Sequence, residues 1–271
     1  MDRRMESRRV EVKDDVDRLL VVSDLHSFIE PLEVIDGFID SWPGSVQVVV
    51  AGDILGGGAS PAETLEWVRT HAGEFAVLGN HDEGSLRGGE GDYPPHTEAG
   101  GYQRLDRRQI EYTQALPLAL ELTWRGTHIR VTHGHRRLSG EDVSWMAKPS
   151  ELLSWFGDPA VALTIVGHTH HPFVLEGDGC RVANCGSTAG LLLGLQHPDR
   201  SISSWGEEAV FKPPPEIYST FLAITLGRDG LQVTIEHFKY DRAKALGRLR
   251  EEKDPDFESK KLWLETGLVL E

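Results

Sequence analysis

Five short apolar runs in this chain each end in side chains that bind metals or move protons. Leu19-Leu20-Val21-Val22 leads into Ser23-Asp24-Leu25-His26, and Val46 to Ala51 leads into Gly52-Asp53. Phe75-Ala76-Val77-Leu78 leads into Gly79-Asn80-His81-Asp82. Ile129-Arg130-Val131 leads into Thr132-His133-Gly134-His135, and Val161 to Val166 into Gly167-His168-Thr169-His170. Carboxylate oxygen, amide oxygen and imidazole nitrogen are the donors that hard and borderline divalent cations take, and no thiolate stands among them. Asp24 and His26 are two apart, as are His168 and His170, so on extended backbone each pair can point the same way. Asp24, His26, Asp53, Asn80, His133, His168 and His170 are more side-chain ligands than one ion usually takes. Two ions sharing a carboxylate, at roughly 3.5–4 Å, is the economical arrangement. Two divalent ions bring more positive charge than the two carboxylates, Asp24 and Asp53, can neutralise. The surplus would attract an anion and lower the pKa of a bound water. A phosphate ester answers to both properties.

The elements that must position these residues are legible in outline. A short apolar run bounded by glycine reads as a buried strand, and the polar residues after it fall at its carboxyl end, where open α/β sheets bind ligands. Strands are expected at 18–23, 46–51 and 74–78, all delivering their residues to one sheet edge. Between them, Phe28, Leu32, Ile35 and Phe38/Ile39 share one helical face, and Ser60-Pro61 opens a second helix with Ser60 as N-cap. Such β-α-β-α-β order implies parallel strands with right-handed crossovers. Further helices are expected over 102–116 and from Lys148 to Phe156. Hairpins are expected at 118–124/127–132 and at 219–226/231–240, with strands at 161–166, 172–176 and 180–184. An α/β fold of two mixed β-sheets packed face to face, with helices outside, accommodates this order. Residues 1–17 read as a charged, solvated leader and 18–240 as one domain. The tail, 241–271, reads as one or two helices packed on the outside or used in a homo-oligomer. Two stretches, 83–101 and 187–215, carry no period. The first leaves the strand end that bears Asn80 and His81, and reads equally well as a lid or as a surface insertion.

Composition narrows the partners. The 271 residues are long enough for a sizeable core, and 39% hydrophobic with 26% charged residues is ordinary for a globular chain. A formal net charge of −15 argues against bulk nucleic acid, though not against a small phosphorylated substrate drawn to local cations. Two cysteines, Cys180 and Cys185, are too few for a disulfide framework. The N-terminal stretch is charged where a signal peptide needs an apolar core, and no window is long enough to span a membrane. A cytoplasmic protein with no membrane partner is the expectation.

Taken in order, Asp24-x-His26, Gly52-Asp53, Gly79-Asn80-His81-Asp82, His133-Gly134 and Gly167-His168-Thr169-His170 resemble the signature of the calcineurin-like metallophosphoesterases over residues 18 to 240. The resemblance implies a four-layer αββα sandwich. It implies that Asp24, His26, Asp53 and His170 hold one metal, and that Asp53, Asn80, His133 and His168 hold the other, with Asp53 bridging. The metals would be Mn, Fe or Zn, a bridging hydroxide would attack phosphorus, and His81 would protonate the leaving oxygen. The Ser/Thr protein phosphatases of this family carry an Asp and a phosphate-clamping Arg after the metal-binding Asp. Here Gly56 and Gly57 stand there instead. The chain therefore resembles more the small prokaryotic phosphodiesterase/phosphatase branch. Arg87, Arg136 and Arg137 are candidates for a replacement clamp, and His135 for a substrate contact, although surface solvation or local hydrogen bonding would account for each. Trp145 and Trp155 read as core. The implied function is hydrolysis of a phosphomonoester or phosphodiester. Alternatives are a nucleotide pyrophosphate linkage (a dinucleoside polyphosphate), a protein phosphatase of the same fold, or a non-catalytic scaffold.

Overall fold

Strands with no polar face set the architecture. The computed structural model describes residues 6–87, 102–204 and 216–270. In chain order the first half runs β1 (Ser7–Val12), β2 (Arg18–Val22), α1 (Glu30–Ser41), β3 (Val46–Val50), α2 (Pro61–His71), α3 (Asn80–Arg87) and α4 (Arg107–Ala115). Next come β4 (Ala119–Trp124), β5 (Thr127–Thr132), α5 (Pro149–Phe156), β6 (Leu163–Val166), β7 (Pro172–Gly177) and β8 (Cys180–Cys185). The rest is β9 (Gly194–Gln196), β10 (Ile202–Ser204), β11 (Ser219–Gly227), β12 (Gly230–Phe238), α6 (Arg242–Glu251), α7 (Phe257–Thr266) and β13 (Leu268–Leu270).

A four-stranded sheet, β12-β11-β2-β3, packs on a six-stranded one, β1-β4-β5-β6-β8-β7. β2 is apolar on both faces because both are covered. Leu19 and Val21 join Leu222 and Ile224 against Leu120, Ile129 and Ile165 of the other sheet. Leu20 and Val22, one residue out of phase, join Phe221 under Leu32 of α1, Leu65 of α2 and Leu249 of α6. The outer face of the six-stranded sheet is covered by α5, through Leu152 and Phe156 on Val166, Phe173 and Val182. The expected four-layer αββα sandwich is the observed fold. Among the described residues no helix is long and apolar enough to cross a membrane.

Several local expectations are corrected. Residues 7–12 are not a free leader: β1 pairs in parallel with β4, and Val10 and Val12 are buried between the sheets. Valines at a two-residue spacing carry that strand, a pattern too short to stand out among its charges. The run 74–78 makes one parallel bridge, Val50 to Ala76, rather than a ladder; the Leu78 N–H donates to Pro117 O at 2.9 Å instead. Ser60 starts α2 without a side-chain cap, and its hydroxyl accepts from Arg248 Nη1 at 3.0 Å. α4 begins only at Arg107, where Asp106 and Gln109 form a capping box. Residues 83–87 are helical, and the rest of the stretch read as a lid or a surface insertion, 88–101, lies outside the described residues. Part of 187–215 is ordered too, since β9 pairs with β10 and, in parallel, with β13 from the tail. The tail is anchored by Arg248 Nε to buried Glu30 at 2.9 Å and Lys244 Nζ to Glu33 at 2.6 Å.

A buried β1 has a measurable consequence. Val12→Asp places an unpaired carboxylate between the sheets and lowers unfolding free energy by roughly 3 kcal/mol, read by urea denaturation. A solvated leader predicts a change within about 0.5 kcal/mol.

Candidate metal centre

The carboxyl ends of β2, β3, β5 and β6 meet at one edge of the sandwich, so the donor-bearing turns come from both sheets and not from one. Asp24 stitches the two together. Its N–H donates to Gly52 O at 3.0 Å, and its Oδ2 accepts from the His168 N–H of the other sheet at 3.1 Å. Asp24, His26, Asp53, His168 and His170 all have positive φ, between 47° and 68°. Non-glycine residues seldom adopt that region, and such strain collects where surrounding structure over-determines it. Gly52, at φ +91°, lets β3 pass beside an imidazole: a Cβ there would lie 2.7 Å from His133 Nδ1.

The result is a dense cluster of donor atoms. Three groups have their ligating atoms within 4.8 Å of one another: Asp24/His26/His170, His26/Asp53/His81 and Asp53/His133/His168. Nε2 of His26 and Nε2 of His170 are 2.9 Å apart, and Asp24 Oδ1 lies 3.1 Å from His170 Nε2. His133 Nε2 is 3.1 Å from both Asp53 Oδ2 and Asn80 Oδ1. Two carbonyls fix the rings, Ala51 O against His133 Nδ1 at 2.8 Å and Val143 O against His168 Nε2 at 3.0 Å. Carbonyls in such positions select tautomers that leave the other nitrogen free to ligate. Asp24 Oδ1 is buried without a hydrogen-bond donor of good geometry, and such oxygens are normally satisfied. Oxygen and imidazole donors facing one another in this way fit a pair of divalent cations.

Electrostatics follow the same crowding. Burial works to raise the Asp24 and Asp53 carboxyls, but the neighbouring histidines, His170 and His133 for the first and His133 and His81 for the second, hold both below the ordinary value. Burial works to lower His133, yet Asp53 and Asp24 push it up to about 9. Burial, reinforced by neighbouring imidazoles, takes His26 and His168 down to about 3. Burial and Asp53 raise Asp82 to about 7. Asp82 accepts from the Leu55 and Gly79 N–H groups at 2.8 and 2.9 Å and pins the Asp53 turn to the Asn80 turn.

His81 stands at the mouth with its side chain 34% exposed, its Nε2 3.9 Å from Asp53 Oδ2 and its ring edge-on to His26 at 4.7 Å. Gly56 lies beneath it, where a Cβ would be 3.0 Å from His81 Nδ1. His135 is buried behind His133 and His168, with Nε2 3.6 Å from Glu83. The three candidate clamps do not line the site. Arg136 pairs with Glu83 at 2.8 Å, Arg137 pairs with Glu141 at 3.0 Å and lies over the Trp155 ring, and Arg87 points to solvent.

A cavity of about 320 Å³ opens over Asp53, Asn80 and His81. Its far wall was not anticipated. Trp145, expected in the core, is half-buried and faces this space, and Trp263 of α7 meets it together with Leu192, Leu195 and Val269. Trp263 sits 5.8 Å from the His26 ring and 5.7 Å from the His170 ring. No periodic signal joins these separated residues. The apolar trio Leu262/Trp263/Leu264 in a charged tail is the one hint that the tail docks.

Opposite shifts give the metal-free protein a stability optimum. Its neutral, buried His26 and His168 contribute stability that is full above the ordinary histidine value of 6.5 and is lost as pH falls toward about 3. His133, raised to about 9, contributes stability present below 6.5 and lost as pH rises through 9. Urea titrations in chelator at several pH values are expected to peak near 6.5. A curve rising steadily from pH 5 to 9 contradicts these environments.

The sequence profile of the calcineurin-like phosphoesterase superfamily domain matches residues 18–198. An uncharacterised protein of Methanocaldococcus jannaschii is 26% identical over 254 residues, 91% of this chain and 97% of that one. Among solved structures, a metallophosphoesterase from Sphaerobacter thermophilus superposes with a TM-score of 0.66 at 22% identity, covering 93% of this chain and 99% of its own. A hypothetical protein from Pyrococcus horikoshii superposes with a TM-score of 0.67 at 16% identity, covering 92% and 98%. The two structures share the fold, the profile spans the turns that carry the donor cluster, and the chain belongs to the calcineurin-like phosphoesterase superfamily.

Proposed function

We propose that the protein is a metal-dependent phosphoesterase that hydrolyses a phosphomonoester or a phosphodiester. The observation that carries this reading is the position of Asp53, whose carboxylate belongs to two of the three donor groups at once. In this reading Asp24, His26, Asp53 and His170 hold one divalent cation, and Asp53, Asn80, His133 and His168 hold a second, drawn from Mn, Fe or Zn. When bound, such a pair supplies a nucleophilic water at neutral pH and neutralises charge on the phosphate.

The chain's own residues do the rest. Ala51 O and Val143 O keep the His133 and His168 rings turned with one nitrogen toward the centre. Asp82 holds the Asp53 and Asn80 turns in register. His81, at the mouth, gives its proton to the leaving oxygen. Gly56 and Gly57 offer neither a carboxylate partner for His81 nor a guanidinium for the phosphate, which disfavours a protein phosphatase. The free thiols of Cys180 and Cys185 suit the reducing cytoplasm we propose as its setting.

Hydrolysis of bis-p-nitrophenyl phosphate against p-nitrophenyl phosphate with Mn²⁺ tests the class, and activity on neither overturns it. His81→Ala is expected to slow an ester with a poor leaving group by about 10²–10⁴-fold while sparing the activated nitrophenyl esters; equal loss on both contradicts the proton-donor role. Asp53→Asn is expected to empty the site of metal by elemental analysis and to abolish turnover. A folded Asp53→Asn protein that keeps two ions per chain sinks the shared-carboxylate arrangement.

A further inference from the structure

The cavity over the donor cluster has two unlike halves. One is the polar floor of Asp53, Asn80 and the imidazoles. The other is an apolar wall made by Trp145, Trp263, Leu192, Leu195 and Val269. The wall is built, not incidental. Trp263 is 7% exposed, with Nε1–H donating to Leu191 O at 2.9 Å, so its ring plane is fixed. Val269 and Leu195 are register partners in the parallel pairing of β13 with β9. Gly267 O accepts from Leu193 N–H at 2.6 Å, which closes that corner. Lys260 also lines the space, but its ammonium is engaged by Asp254 Oδ2 at 2.6 Å. Of the candidate arginines, Arg136 and Arg137 are paired elsewhere and Arg87 is exposed to solvent.

From this juxtaposition we propose that the wall is the subsite for a flat aromatic substituent on the phosphoester, an aryl group or a nucleobase, and that Trp145 and Trp263 set substrate preference. The inference rests on the phosphoesterase reading and names its substrate class. The cations and His81 grip the phosphate alike in every ester. Discrimination therefore falls to the organic group, and burying an aromatic face against two indoles and three aliphatic side chains favours a planar ring over a small alkyl group. Trp145 is only half-buried and comes from the loop between β5 and α5, so it can change without disturbing the strands that carry the donors. Trp263 packs directly on His26 and His170 and cannot serve as cleanly.

The test holds the leaving group constant. Three diesters of p-nitrophenol, with methyl, phenyl or 5′-thymidyl as the other substituent, are compared on the Mn²⁺-loaded full-length protein. The phenyl or thymidyl ester is expected to exceed the methyl ester by about tenfold or more in kcat/KM, mostly through KM; the faster of the two distinguishes an aryl from a nucleobase source. Trp145→Ala is expected to bring that preference close to parity, through a larger loss on the phenyl and thymidyl esters than on the methyl ester. Equal rates for all three esters, or a Trp145→Ala protein slowed equally on all, overturn the proposal. If none is hydrolysed, the wall is judged by calorimetry alone, and the phosphoesterase reading fails only when p-nitrophenyl phosphate also stays intact. Phenylphosphonate binding at least about tenfold tighter than methylphosphonate, with the gain lost in Trp145→Ala, supports the subsite; equal binding overturns it.

Discussion

Everything in this molecule is arranged around the crowding of unlike-charged, water-stripped donors into one small volume. Two buried carboxylates and several imidazoles approach within hydrogen-bonding distance, and the Nε2 atoms of His26 and His170 face each other at 2.9 Å. Such groups resist desolvation unless they are paired or bound to a cation. They can be assembled only by a frame rigid enough to impose the geometry against that resistance. Two face-to-face sheets, closed on each other through a shared apolar interior, provide it.

The frame reaches the donors through turns rather than through regular elements. A strand delivers its chain to the edge, and one or two left-handed residues then bend the backbone so that the next side chain points across the seam. That geometry is costly for Asp and His. It is held by the bond of Asp24 with Gly52 inside one sheet and with His168 across the seam, and by the double acceptance of Asp82. Strain of this kind marks places where position matters more than local comfort.

The donors themselves were legible because each follows a short apolar run, and all of these runs but the one before Asn80 are strands. Less legible was anything that depended on pairing at a distance. β1 hides in a charged stretch because two valines suffice to bury it between sheets that other residues create. The 74–78 run looks like a strand, yet the competing acceptor at Pro117 is invisible without the fold. The arginines near the site were reasonable clamps by proximity in sequence, but Glu83 and Glu141 take Arg136 and Arg137 first. Trp263 was beyond reach, since some 240 residues separate it from the histidine ring it touches (263 against 26).

That separation divides the labour of the molecule. The donor turns lie within residues 18–198, which the superfamily profile spans, whereas Lys260, Trp263 and Val269 come from beyond it. In the proposed reading, part of the selectivity is thus written outside the passage that carries the chemistry, while Trp145, Leu192 and Leu195 share that passage. A lineage could retune which molecules it accepts by drift in α7, β13 and the short strand they lean on, while the reacting machinery passes unaltered from one descendant to the next. Trp263 is the hinge of that bargain, the one wall residue whose replacement would be felt on both sides.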